Sequence, residues 1–594
     1  MQNGGGSVTG GGAPSGGGTP SGGGTQSGGG TQSGGGTSNG GGSALSDGGV
    51  PPYDCTYASS ALTCVGTDGG LRRDRFALIT VVRPPGFTTI PTFIVSSEAA
   101  SWPAATTFVG DAVTPRYLVD LSVPALNGLE GTFTVDLQDG GFERATFELP
   151  VTRVRWSTQL APGTTTWNTA PAIDSQGFIY AGSALGLFKV DPRSGMAVIA
   201  AVAPGATTST VNHVAIAAGV STDAGPTEGV FWQRSTTGTR NSEVLGFDRS
   251  GQLLNASTCS QSSGDNPAFA LSRTAPRMSV DAVALFQNAD GGGFICSYPF
   301  KGANSAAIDT ISSTETSNLV VQGDNLFVHE TDRKITSFAA MGSTGNWVRL
   351  GSSGATGAAG RPAGLALTGN GSLFAMLSDS NAPQVSPIAL VAPSPASLWA
   401  TPAVPFSFMP ALQGNTWAGQ PAVVISNSQP AALFGSNTGA HPWVRTAPLA
   451  TNNSFGVVSG LAADAGAGPA VSTVPVIGDN SEVYVVSNEG ELFVYRLAQN
   501  QIGLSDAVPV WHAPLPDFSG NSQTYRHPTL DCNRSSGQAV STRPGSLYVL
   551  NETGLLVSII VDARKLSTSA PWPKWQRTAG NSGNIDFERN PGCP

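Results

Sequence analysis

The residues able to do chemistry are few and scattered. Six cysteines stand at 55, 64, 259, 296, 532 and 593, and none belongs to a C-x-x-C pair. That spacing argues against a zinc or thiol-redox motif. An even, dispersed set points instead to disulfides in an exported protein, most simply Cys55–Cys64, Cys259–Cys296 and Cys532–Cys593. Six cysteines allow 15 connectivities, and six buried free thiols are the competing reading. The five histidines, at 213, 329, 441, 512 and 527, lack metal-ligand spacing. No G-x-S-x-G marks a nucleophile. His329 and His512 read as solvated residues. Leu71-Arg72-Arg73-Asp74-Arg75 offers an anion site or, more ordinarily, a solvated strand edge that discourages sheet-to-sheet pairing. No catalytic residue, metal ligand or cofactor is assigned.

The elements that must position these residues are short strands. The 594 residues include 77 glycines and 42 prolines, and only 12% are charged. A net charge of −9 with no basic stripe argues against nucleic-acid binding, and no polybasic segment faces a membrane. No 18-residue apolar run could form a spanning helix. The apolar residues fall in brief runs between Gly, Pro, Asn and Ser, which predicts an all-β protein.

Three regions follow one another. Residues 1–49 hold a six-residue repeat, GGGSVT to GGGTSN over 4–42. It has no apolar surface to bury, so it reads as a disordered tether with a reach of roughly 35–40 Å. Met1-Gln-Asn-Gly carries neither a charged nor an apolar signal region. The expectation is therefore a misplaced start or a mature form, with room for a lipid anchor upstream. Residues 50–152 alternate apolar and polar: FALITVV (76–82), TFIVSS (92–97), RYLVDLSV (116–123), and a hairpin pairing Phe133, Val135 and Leu137 with Ala145, Phe147 and Leu149. Their size fits an immunoglobulin-like β-sandwich.

Residues 153–594 repeat internally. Copies start at Pro171, Pro475 and Pro528, with degenerate starts near His213, Pro276, Asn318, Pro362 and Pro421. Each runs Pro, strand, turn, strand, Gly turn, strand. A fourth, Trp-centred strand is read at Trp156, Trp347, Trp443, Trp511 and Trp575. Four strands at a period near 50 signal β-propeller blades: eight, with seven as the alternative. Of the Trp strands at 154–156 and 572–577, one should complete the last blade.

The order P-A-x-D, G-x-I-Y-x-G-S, G-x-L-F-x-V-D in the first copy resembles the repeat of pyrroloquinoline-quinone-type (PQQ-like) propellers. Pro571-Trp572-Pro573-Lys574-Trp575-Gln576-Arg577-Thr578 is similar to a segment common in bacterial members. The resemblance implies either quinone-dependent dehydrogenases or non-enzymatic envelope lipoproteins. The dehydrogenase branch would require vicinal cysteines and a calcium-holding acidic cluster, and neither is present in the sequence.

The expectation is thus a surface-tethered binding or scaffold protein, extracytoplasmic on the outer membrane or secreted, with a protein or glycan partner. A structural part of a surface appendage and a propeller enzyme are the alternatives. The residues before each aligned Pro should share one mouth of the ring with the turns Ser183–Gly186, Ser487–Gly490 and Asn551–Gly554. They are Trp167, Asn168, Asn212, His213, Arg273, Arg361, Trp417, Tyr525, Arg526 and His527, a solvent-exposed aromatic and cationic set for an anionic or carbohydrate ligand.

Overall fold

A computed structural model describes the chain from Pro52 to Pro594 with interruptions. The larger gaps are 83–90, 162–169, 203–208, 261–267, 274–279, 300–305, 312–318, 353–360, 379–387, 392–423, 437–442, 449–472, 497–508 and 517–526, with shorter ones between them. The chain divides into Met1–Ala44 and Leu45–Pro594. The Gly-rich repeat lies outside the described residues. Within Leu45–Pro594 every regular element described is a strand.

Residues 53–152 form two five-stranded sheets. One orders Ala61–Val65, Tyr53–Ala58, Phe76–Val81, Arg116–Asp120 and Ala105–Phe108. The other orders Leu71–Arg72, Arg144–Thr152, Glu130–Gln138, Thr92–Ser97 and Ala100–Pro103. Alternate residues of both meet in one core, where Tyr53, Ile79 and Val119 face Phe93, Phe133 and Val135. The hairpin pairs as its alternation requires: Phe133 opposite Leu149, Val135 opposite Phe147, Leu137 opposite Ala145. Cys55 lies directly opposite Cys64 on paired strands and is disulfide-bonded to it.

From residue 154 onward the described strands build eight small antiparallel sheets, six of four strands and two of three. Their first strands, in order, are Ala172–Ile173, Ser209–Thr222, Ala268–Arg273, Val320–Gln322, Arg361–Leu367, Val424–Ser426, Val476–Ile477 and Thr529–Asp531. Middle strands such as Glu482–Val486 and Ser546–Leu550 are buried at every position. Period two explains this, because each face is covered by a different neighbour. In the first sheet, Ile179 and Ala181 join a core shared with the seventh and eighth sheets, while Tyr180 joins the core shared with the second. Second and third sheets meet around Phe231, Leu271 and Tyr298; third and fourth around Ile295, Phe338 and Trp347. The protein is a β-propeller with a β-sandwich ahead of it.

The strand Val154–Gln159, which leaves the sandwich, pairs antiparallel with Leu555–Ile560 and becomes the outer strand of the last sheet. Trp156 there donates its indole N–H to the Pro192 carbonyl at 2.9 Å and packs on Tyr548. The other candidate for this place, 572–577, is corrected: its described residues form bends and turns, not a strand. The reason is positional, since Val154–Gln159 already occupies the edge. The third copy is also corrected. Its inner strand is Ala268–Arg273, ahead of Pro276, and the strand after that proline, Val280–Gln287, is the second of its sheet. Pro276 itself lies outside the described residues.

Candidate functional site

The displaced 572–577 segment begins an axial tail. Leaving the last strand, the chain crosses the inner strands of neighbouring sheets and takes their free amides. Ile477 donates to the Pro573 carbonyl (2.8 Å), Ile173 to Ala579 (3.0 Å), Ile216 to Gly580 (2.7 Å) and Leu271 to Ser582 (2.8 Å). Four inner strands are tied by ten residues of tail, which satisfies backbone donors that would otherwise point into an unfilled axis.

Side chains secure the tail. The Asn581 amide donates toward the Ala170, Pro171 and Val214 carbonyls at 3.0, 3.2 and 3.3 Å, while its Oδ1 accepts from Lys574 Nζ at 2.5 Å. Lys574 is fully buried, and that burial pushes its pKa down to about 7. Gln576, Arg577 and Asn581 adopt positive φ, the left-handed backbone that L residues hold only when their surroundings impose it. Gly580 has no room for a side chain: a Cβ would sit 2.8 Å from the Ile216 carbonyl oxygen. The tail ends in the disulfide Cys532–Cys593, and Asp531 and Arg534 both contact Cys593 Sγ. Asp531, Cys532 and Cys593 are the one cluster of metal-ligand types among the described residues. Two of its three members are spent in the S–S bond, so as it stands it offers no thiolate.

Where the tail turns back, Lys565, Thr568, Arg577, Asp586, Phe587, Glu588, Arg589, Asn590 and Cys593 line a cavity of about 350 Å³. Arg577 is buried, Arg589 half-buried, and the two acids are exposed. Burial first, then the neighbouring Arg589, depress the Arg577 pKa to about 9.

A second polar cluster joins the sandwich to the propeller. Asp562 receives Arg153 at 3.0 Å and also Arg73. Burial would raise the Asp562 carboxyl, but Arg153 and Arg73 hold it down at about 2. Asp74 takes Arg155 at 2.7 Å and Asn533 at 2.8 Å. Arg543 reaches Asp120 at 2.9 Å and lies 3.8 Å over Phe76. The solvated-edge reading of Arg72–Arg75 is therefore corrected for Arg73 and Asp74, which are buried in this joint. The sequence signal was available: arginines recur at 73 within the sandwich and at 153 and 155 just after it in a chain poor in charge.

The expected ligand mouth fares unevenly. Trp167, Asn168, Trp417, Tyr525 and Arg526 lie outside the described residues, as do the side chains of Asn212, Arg273 and Arg361. His213 is corrected from exposed to fully buried, because it stands inside the strand Ser209–Thr222 and not ahead of it. Burial and the nearby Lys574 charge drive its pKa down to about 3, so it is neutral. Arg361 opens its inner strand whereas Arg273 ends its own, which places them at opposite ends of the ring's inner wall. His527 is half-buried just before Thr529–Asp531. The three Gly turns close as read, with Gly186, Gly490 and Gly554 amides returning to Ser183, Ser487 and Asn551 carbonyls. Of the disulfides, Cys55–Cys64 and Cys532–Cys593 are present. Cys296 is disulfide-bonded, and the Cys259 side chain lies outside the described residues.

The outer strands differ. That of the seventh sheet, Trp511–Pro514, buries its Trp. That of the first, Ala197–Ala201, pairs on one side only among the described residues and carries neither Trp nor charge. Met196, Val198, Ile199 and Val202 are 71%, 57%, 52% and 71% exposed around it.

No family model matches the chain, and no curated protein does. Among solved structures it is similar to the C-terminal WD40 domain of Sif2, at 13% identity and TM-score 0.42, covering 69% of this chain and 99% of that one. It is also similar to Sqt1 of Saccharomyces cerevisiae, at 10% identity and TM-score 0.44, with coverage of 69% and 99%. BamB from Moraxella catarrhalis matches at 9% identity and TM-score 0.36, with coverage of 68% and 99%.

Proposed function

We propose that this chain is a tethered, extracytoplasmic scaffold that binds a protein partner. On this reading residues 1–49 are a flexible tether, 50–152 an immunoglobulin-like spacer, and 153–594 a closed eight-bladed propeller of the PQQ-like, non-enzymatic envelope type. Disulfides favour an oxidising compartment. No helix among the described residues is long and apolar enough to cross a membrane.

The observation that carries the reading is the apolar strand Ala197–Ala201. Among the described residues it pairs on one side only, beside four exposed large apolar side chains and without the charges that normally guard such an edge. The segment 196–206 has no charged residue, so its complement is an uncharged, extended apolar segment that adds a strand by backbone pairing. The axial tail, which ties four inner strands together, and the buried ionic joint, which ties sandwich to propeller, support the same reading by making a firm platform.

The test places a photocrosslinker at 198 in the full chain, in its native envelope, with a control at exposed Arg564. A single heterologous protein captured at 198 and lost in Ile199→Lys supports the reading. Crosslinking only to a second copy, with a dimer in sedimentation, replaces the scaffold with self-assembly. Equal capture at 198 and 564 refutes it.

A further inference from the structure

We infer that the sandwich is an assembly module through which copies of this chain join head to tail, the strand Ala61–Val65 of one copy pairing with Ala105–Phe108 of the next. These strands are the two opposite edges of one sheet, and each pairs on one side only among the described residues. Ala105–Phe108 is exposed at all four positions, and Val65 on the other edge is 74% exposed. No charged residue occurs at 55–67 or at 99–110, so neither edge carries the usual guard. The Cys55–Cys64 bond holds the first edge in place. One edge of the second sheet shows the contrast: Leu71–Arg72 is two residues long and charged, the ordinary protection against pairing.

Strand direction selects a second copy as the occupant. Ala61–Val65 runs antiparallel to Tyr53–Ala58, which is parallel to Phe76–Val81. Arg116–Asp120 is antiparallel to Phe76–Val81, and Ala105–Phe108 is antiparallel to Arg116–Asp120. The two edges therefore point in opposite directions. A copy moved sideways by one width of the five-stranded sheet, about 24 Å, brings them together antiparallel with their core faces aligned. A strand from another protein satisfies only one edge, whereas copies satisfy both and present the same pair again at each end. Thr63 is level with Thr80 and Thr107 with Leu78, so facing these threonines shifts the next copy by two residues, roughly 7 Å. A twist of about 20–25° per strand turns each copy by roughly 100–125°, which points successive propellers in different directions around the assembly.

The module uses none of the residues of the Ala197–Ala201 edge, so either reading can fail without the other. Sedimentation velocity of the full chain over about a hundredfold range of concentration tests it. The wild type should pass from monomer to a series of oligomers without stopping at the dimer. Thr63→Lys and Thr107→Lys, both at exposed positions, should each remain monomeric with melting temperatures within about 2 °C of the wild type. Mixed in equal amounts, the two variants should form a heterodimer and nothing larger, because each retains one working edge. Oligomers that persist in either variant alone overturn head-to-tail pairing. A wild type that stays monomeric, or one whose oligomers vanish in Ile199→Lys, overturns the site.

Discussion

Replacing Asn581 by alanine should open the axial tail. The side chain provides two N–H groups to the carbonyls of Ala170, Pro171 and Val214, and accepts one bond from the buried Lys574 ammonium. Two neutral bonds contribute about 2 kcal/mol, and the charge-assisted one about 1.5 kcal/mol. The last figure sits at the low end because Lys574, with a pKa near 7, can shed its proton when its acceptor is lost. The φ of 55° at Asn581 adds about 1 kcal/mol for alanine, which glycine avoids. Asn581→Ala should therefore cost about 4–5 kcal/mol and Asn581→Gly about 3–4 kcal/mol. This cost is local, because the tail can detach while the sheets remain. The reporters are the amides of Ile173, Ile216, Leu271 and Ile477, which donate to tail carbonyls. Hydrogen exchange at these four should accelerate by a few hundredfold or more, since each 1.4 kcal/mol is a factor of ten. Amides such as Val549, inside the last sheet, should be unchanged. Wild-type exchange at all four sites, or equal effects of alanine and glycine, would refute the reasoning.

Further outcomes follow from the same contacts. Trp511→Ala, emptying a buried site that also stacks under Arg153, should cost about 3–5 kcal/mol by thermal or denaturant unfolding. Arg153→Met should cost about 3–5 kcal/mol, because Asp562 and the Leu126 carbonyl lose a buried partner, and proteolysis should begin to separate the sandwich from the propeller. Cys593→Ser opens a 61-residue loop and should cost about 4 kcal/mol, with accelerated exchange over 573–593 measured in the non-reduced protein. His213 binds a proton at pH 6.5 when unfolded but only near pH 3 when folded. Stability should therefore fall by about 4–5 kcal/mol as pH drops through that window. Asp174, raised to about 6 by burial and then Glu228, acts in the opposite direction. The measurement is accordingly the difference between wild type and His213→Phe, whose acid loss should be smaller by that amount.

Alternation and turn chemistry are local, and they determined the strands. The pairing of Phe133 with Leu149 follows from period two around a short turn, and Gly186, Gly490 and Gly554 stand where a hairpin needs small or left-handed residues. The spacing of Pro171, Pro475 and Pro528 likewise set the repeat, because each four-strand unit must present the same two apolar faces to its neighbours. Cys55–Cys64 and Cys532–Cys593 were legible as sequence-adjacent pairs. What the sequence left open is whatever depends on two distant segments competing for one place. Val154–Gln159 and 572–577 both carry a tryptophan and both suit an outer strand, but only one edge is vacant. Once the segment leaving the sandwich takes it, the other is released to the axis and begins the tail whose backbone, over 573–582, meets four inner strands. The same holds for charge. Arg73 and Asp74 look solvated beside their sequence neighbours, and only the packing of sandwich on propeller brings Asp562 and Arg155 to them. His213 looks like a loop residue until its strand proves four residues longer at that end, and then it is buried. Period and turn residues act over a few positions, whereas burial and pairing are settled by which surfaces close first across hundreds.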